Sequence, residues 1–228
     1  MAELFDSYDK NYGAVVQASI DFSGLPHSFF MTAKADLLRD LIATRIDGAQ
    51  KPVALDIGCG VGEFHPFVRG MFSKLCGADI SSASIEQARQ SNPGVEYEAY
   101  DGKVLPYGDA TFDVATAICV MHHVPTDQWL GFLREVRRIL RPGGLACIIE
   151  HNPFNPLTRL AVNRCAFDQD AVLLRASQTQ RLMMDAGLRD AETRYFLMLP
   201  WASPWFRRIE HGFRRLPLGA QYATFSSA

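Results

Sequence analysis

A doubly wound α/β fold with a mostly parallel sheet is what this sequence predicts, and three observations carry it. From residue 52 onward, strand-like apolar runs alternate with helix-like segments, the order that builds βαβ units. The runs read as buried strands, as a sheet covered on both faces requires. A glycine-rich turn joins the first run to the segment after it, at a strand's carboxyl end, where open α/β sheets bind ligands.

The elements follow in chain order. Residues 29–47, FFMTAKADLLRDLIATRID, predict an amphipathic helix ahead of the first strand. VALDIG (53–58) is the first strand and, after a helical stretch, KLCGADI (74–80) the second. SSASIEQARQ (81–90) follows as a helix, VEYEAY (95–100) as the third strand and FDVATAICV (112–120) as the fourth. TDQWLGFLREVRRIL (126–140) sets Trp129, Phe132, Leu133, Val136, Ile139 and Leu140 at helical spacing. The Arg-Pro-Gly-Gly run (141–144) is expected to end that helix, and LACIIEH (145–151) is the fifth strand. SQTQRLMMDAGL (177–188) predicts a helix opened by a Ser-x-x-Gln capping box and closed near Gly187. DAETRYFLML (190–199) and GAQYATF (219–225) are expected as two closing strands. No linker is long enough to separate two domains, so residues 1–228 are read as one. Within it, 1–50 form cap helices, 51–151 a ligand-binding core, and 152–228 a lid segment, the closing strands and a basic-aromatic helix.

Composition narrows the function classes. A net charge of −2 gives no field to recruit nucleic acid or an anionic membrane globally. The five cysteines are scattered, form no Cys-x-x-Cys pair and suit a reducing compartment. The first residues, MAELFDSYDKNYG, lack the apolar core of a signal peptide, and no apolar run nears the ~20 residues of a membrane span. A cytoplasmic protein is expected.

The turn ALDIGCGVGEF (54–64) places Gly58, Gly60 and Gly62 after an acid, Asp56. A nicotinamide fingerprint, Gly-x-Gly-x-x-Gly, would want its third glycine where Glu63 stands, and a carboxylate there opposes a pyrophosphate. Asp56 instead suits a ligand bearing an ammonium group. Asp79 closes the second strand about 20 residues on, placed to accept from ribose hydroxyls.

With ALDIGCGVGEF, the stretches GADISSASIEQAR, YDGKVLPYGDATFDVATAICVMHHV and LREVRRILRPGGLACIIE stand in one order across roughly residues 50–150. In these motifs the chain resembles the class I S-adenosylmethionine-dependent methyltransferases, in the small-molecule branch related to the ubiquinone/menaquinone C-methyltransferases. The resemblance implies a Rossmann-like seven-stranded sheet, mostly parallel with an antiparallel last strand, and helical cap segments. It implies S-adenosyl-L-methionine as cofactor and S-adenosyl-L-homocysteine as product. Asp56 and the backbone of Gly58, Cys59, Gly60 and Gly62 would cradle the methionine portion, and Asp79 the ribose. Ile80 would pack on the adenine, Asp101 with Gly102 would read its edge, and Ile118 and Cys119 would border the sulfonium.

The acceptor side is argued from chemistry. A hydroxyl acceptor needs a base near neutral pH, and histidine is the natural one. His122 and His123 follow the fourth strand and His151 the fifth, so all three are candidates, with Glu150 and Asn152 beside His151. Adjacent histidines point apart, so one of the pair at most is expected to face an acceptor. No metal is expected, because these strand ends carry histidines and Glu-His-Asn where magnesium would want aspartate. Tyr8, Tyr12, Phe30, Lys34 and Asn152 are candidates for the substrate pocket, and 152–175 reads as a lid. Residues 199–219 mix Trp201, Trp205, Phe206 and Phe213 with four arginines, which suits peripheral membrane contact, an anionic substrate, or docking on the core. The expected function is methyl transfer, O-methylation foremost, to a small-molecule or lipid-linked acceptor, with no nucleic-acid partner. A non-catalytic cofactor-binding protein on the same fold stays open, and a nicotinamide oxidoreductase is disfavoured.

Overall fold

The computed structural model describes residues 12–46, 48, 50–198 and 212–228. Its sheet has seven strands: β1 Val53–Ile57, β2 Lys74–Asp79, β3 Glu96–Ala99, β4 Phe112–Ile118, β5 Leu140–His151, β6 Arg189–Phe196 and β7 Gln221–Ser227. They lie in the order β3-β2-β1-β4-β5-β7-β6. Strands β1 to β5 pair in parallel, and β7 runs antiparallel between β5 and β6. Strand order reverses between β1 and β4, so the crevice above their carboxyl ends is the expected ligand position.

Helices cover both faces: α1 Tyr12–Ile20, α2 His27–Arg45, α3 His65–Val68, α4 Ser82–Ser91, α5 Trp129–Ile139, α6 Pro156–Arg164 and α7 Ala176–Asp185. Side chains alternate along each strand, so one sequence run feeds two cores. Leu55, Ile57, Ala115, Ala117 and Ile148 meet Phe132, Leu133 and Val136 of α5 and Met183 of α7. Ala54, Val114, Cys147 and Ile149 meet Leu38 and Leu41 of α2 on the other face. Five of the six apolar positions predicted for the 126–140 helix bury within α5, each large side chain contributing roughly 1.5–3 kcal/mol.

Two local expectations are corrected. Leu140 leaves the helix and pairs with Phe112, so β5 begins before Arg-Pro-Gly-Gly and runs through it. The far end of the chain explains this: Gly143 N–H donates to Ala228 O and Ala228 N–H to Gly144 O, an edge the local sequence could not announce. The capping box is also not made. Helix α7 starts one residue early, Arg175 at its N-cap offers no side-chain bond, and Gln180 donates to Ala191 O at 2.8 Å. Its end behaves as expected: Gly187 has φ +89°, and Leu188 N–H reaches Met183 O, a Schellman closure.

Of the basic-aromatic segment 199–219, residues 199–211, with Trp201, Trp205 and Phe206, lie outside the described residues. Among the described residues no helix is long and apolar enough to cross a membrane.

Candidate functional site

A cavity of about 830 Å³ opens above the carboxyl ends of the parallel strands. The glycine turn forms one wall. Gly58 N–H and Cys59 N–H donate to Ala78 O, which bends the chain across the top of β2. Gly58 has φ +72°, and a Cβ there would lie 2.5 Å from Val120 Cγ2, so only glycine fits. Gly60 has φ +51°, and a Cβ there would meet nothing within 4 Å. Its bare backbone lines the cavity beside Gly58 and Cys59. Gly62 does not: a Cβ at that position would strike Tyr97 Oη and Asn92 Nδ2, so this glycine serves packing behind the turn.

Asp56 is buried at the cavity floor and anchored from below. Thr116 Oγ1 donates to its Oδ1 at 2.7 Å, and His65 Nε2 lies 3.1 Å from its Oδ2. His65 Nδ1 in turn lies 2.5 Å from Tyr97 Oη. A carboxylate has about four lone-pair sites, so these bonds orient Asp56 and leave it able to accept from a ligand ammonium. Sequence reasoning missed His65 and Tyr97; neither stands in the glycine turn or at a strand end facing the cavity.

Asp79 is likewise held by the backbone. Its Oδ2 accepts from Gly60 N–H at 2.8 Å and its Oδ1 from Ser81 N–H at 2.9 Å. Burial pushes its carboxyl above the usual range, and those backbone bonds hold it back. Ile80 lines the cavity next to it, and a Cβ on Gly102 would come within 3.3 Å of Ile80 Cγ2. Asp101 is exposed and closes its own loop, accepting from Val104 N–H and Lys103 N–H; these bonds keep it below the usual carboxylate range.

At the end of β4, Ile118 and Cys119 also face the cavity. Cys119 sits at φ +57°, strained for a side chain with a Cβ, and its N–H donates to Ile149 O at 2.8 Å. Such a residue costs on the order of 1–3 kcal/mol and persists where its surroundings over-determine it.

The histidines gather opposite. His122 is buried with Nδ1 2.5 Å from Glu150 Oε2, while Glu150 Oε1 accepts from Val120 N–H and Met121 N–H. Burial alone would lower the His122 pKa, but the Glu150 and Asp168 carboxylates carry it well above the usual value. His123 Nε2 lies 3.3 Å from Asp168 Oδ1, and the two histidine ring centroids are 4.1 Å apart. Both residues line the cavity, although adjacent histidines are expected to point apart. The short 3₁₀ turn Met121–His123 is the reason: it rotates about 120° per residue, so neighbouring side chains splay less than the opposed ones of a strand. His151 stands 5.3 Å from His122, ring to ring, with burial and then the His122 charge bringing its pKa down to about 4. Asp168 arrives from the short turn after α6, a position the sequence did not single out.

Of the pocket candidates, Phe30 and Lys34 line the cavity. Asn152 does not. It is buried, and its amide is spent on Pro217 O at 3.0 Å and Gly219 O at 2.7 Å, pinning the entry to β7. Tyr8 and the side chain of Tyr12 lie outside the described residues.

Residues 55–148 match the family model described as a methyltransferase domain. A 27-O-demethylrifamycin SV methyltransferase of Amycolatopsis mediterranei is 39% identical over 99 residues, covering 40% of this chain and 35% of that protein. A sterol 4-C-methyltransferase of Caenorhabditis elegans is 30% identical over 150 residues, covering 59% of this chain and 44% of that protein. The chain thus spans less than half the length of these two relatives. A solved S-adenosylmethionine-dependent methyltransferase of Thermotoga maritima, described as a possible histamine N-methyltransferase, shares the fold. Its TM-score is 0.72 at 18% identity, over 100% of this chain and 99% of that one. The ordered motifs, the β4/β1 crevice and these likenesses agree: residues 55–148 match a methyltransferase domain, and the chain shares its fold with solved S-adenosylmethionine-dependent methyltransferases.

Proposed function

We propose that the chain, acting as one unit, methylates a hydroxyl on a small, largely apolar or lipid-linked acceptor, with His151 as the base. The observation that carries this reading is the meeting of two differently built walls in one cavity. One wall offers the glycine turn, Asp56 and Asp79; the other offers His151 amid Phe22, Phe29, Leu157, Val162 and Phe167.

The residues present fit S-adenosylmethionine. Gly60 leaves bare backbone where a side chain would intrude, and two buried carboxylates stand where an ammonium and a ribose would be held. When bound, this cofactor supplies a sulfonium methyl to an in-line nucleophile. Asp56, oriented by Thr116 and His65, would hold the ammonium, and Asp79 the ribose hydroxyls. Ile80, Asp101 and Gly102 would frame the adenine, and Ile118 with Cys119 would set the floor beneath the transferred group. Lys34, buried and lining the same cavity, would face the carboxylate end.

His151 would accept the hydroxyl proton. His122 is less suited, because Glu150 grips one ring nitrogen and Asp168 stands at the other. His151 Nδ1 faces the Gln221 amide at 3.5 Å, and Gln221 Oε1 is buried without a partner. With the amide turned to bring Oε1 there, Nδ1 carries the proton and Nε2 is left bare as the base.

An exposed apolar patch that meets the cavity at Leu157 supports the acceptor class. Phe154, Leu157 and Leu160 are exposed beside Leu216 and Leu218, and Asn155 Nδ2 joins the two groups by donating to Leu218 O at 2.9 Å. Segment 199–219, to which Leu216 and Leu218 belong, is the proposed point of peripheral membrane contact for a cytoplasmic enzyme. The test is calorimetry with S-adenosylmethionine and S-adenosylhomocysteine, then release of the latter across a library of hydroxyl acceptors. Absence of binding to either would reject the reading; binding without turnover on any acceptor would favour a regulatory role.

A further inference from the structure

The methyl-transfer reading leaves Asp168 without a task, although it stands between two histidines on the cavity wall. His122 Nε2 lies 3.4 Å and His123 Nε2 3.3 Å from the same oxygen, Asp168 Oδ1. All three atoms fall within 4.8 Å of one another. These separations are long for charge-assisted hydrogen bonds, which run about 2.7–2.9 Å. His122 shows the contrast within one ring: Nδ1 is 2.5 Å from Glu150, whereas Nε2 is buried and makes no hydrogen bond. Two ligands each about 2.1 Å from a tetrahedral ion are about 3.4 Å apart, the spacing seen here. The outer shell is also in place, since Glu150 binds the ring nitrogen of His122 away from Asp168 and so orients Nε2 toward it.

We propose that His122 Nε2, His123 Nε2 and Asp168 Oδ1 form a binding site for one divalent transition-metal ion of the zinc class. Two imidazoles and one carboxylate suit zinc, cobalt or iron, and disfavour magnesium, which prefers an all-oxygen shell. Because the three residues line the cavity, the remaining coordination positions open toward the acceptor. The expectation of no metal counted only the strand ends. The carboxylate found missing there comes from the turn after α6.

The site stands whether or not the cavity transfers methyl groups, so its test reads metal directly. The full chain, stripped with chelator, is titrated with Co²⁺ and followed by visible d–d absorption. The expected result is one equivalent bound, with bands that zinc displaces. His123→Ala and Asp168→Ala should each abolish the bands; neither residue belongs to the main packing clusters, and circular dichroism checks their folding. Glu150→Gln, which keeps an acceptor for the Val120 and Met121 N–H groups, should weaken uptake about 10- to 100-fold. Absence of cobalt uptake by the wild-type chain, or equal uptake in the two ligand variants, overturns the site. Calorimetry with S-adenosylmethionine on the same samples tests the methyltransferase reading separately.

Discussion

The two walls of the cavity are built by different means. In the proposed cofactor wall, Asp79 and Asp101 are tied to backbone, whereas the Thr116 and His65 side chains hold Asp56. Asp79 is clamped by Gly60 and Ser81 N–H groups, and Asp101 by the N–H groups two and three residues on. In the proposed acceptor wall, side chains chiefly hold side chains: His122 meets Glu150 and Asp168, and His151 meets Gln221, with backbone reaching only Glu150. Removing a group from the first wall should therefore damage binding and local backbone together. Removing one from the second should change chemistry and spare the fold.

The largest effect is expected at Gly58→Ala. The added Cβ would stand 2.5 Å from Val120 Cγ2 at φ +72°, combining left-handed strain with overpacking. Stability should fall by about 2–5 kcal/mol, and S-adenosylmethionine binding should vanish. Denaturant titration and calorimetry on one preparation measure both. A variant that binds normally would show that the turn does not shape the cofactor wall.

The matching break on the other side is His151→Gln. Loss of a general base should lower kcat by about 10²–10⁴-fold, while cofactor affinity and folding midpoint stay near wild type. An equal loss of cofactor binding would erase the distinction between the walls.

The same contrast explains what the sequence disclosed. The cofactor wall lies in a stretch where spacing maps directly onto geometry: strand, turn, strand end. The cavity positions of Asp56, Gly58, Gly60 and Asp79 were legible because each sits within three residues of a strand end. The alternation of apolar runs likewise fixed the parallel sheet, since two-sided burial demands it. The acceptor wall gathers residues from α2, the turn after β4, the end of β5 and the turn after α6, and no local pattern links them. Asp168 could not be read at all, because its role depends on where α6 delivers the chain. Asn152 shows the converse: a polar residue at a strand end looks functional in the sequence, whereas Pro217 and Gly219 return in the fold to occupy its amide.

Asp79→Asn should have an intermediate effect. The amide keeps one oxygen acceptor for the backbone N–H groups but loses the charge, and charged hydrogen bonds contribute about 1.5–3 kcal/mol. Cofactor affinity should fall about tenfold to a hundredfold, with a smaller loss of stability. Unchanged affinity would remove Asp79 from the ribose assignment.

Lys34 stands on neither wall's pattern and gives the smallest, most discriminating case. It is 6% exposed, lines the cavity, and makes no ion pair or hydrogen bond among the described residues. A buried cation so placed costs stability, and a ligand carboxylate would offset that cost. Lys34→Met keeps the volume of the side chain and removes the charge. The folded apo chain should gain about 1 kcal/mol, while cofactor affinity falls roughly tenfold, the two effects moving in opposite directions. A purely structural lysine would move both the same way or neither. The sign of the stability change, read by denaturation without ligand, thus separates a group kept for binding from one kept for packing.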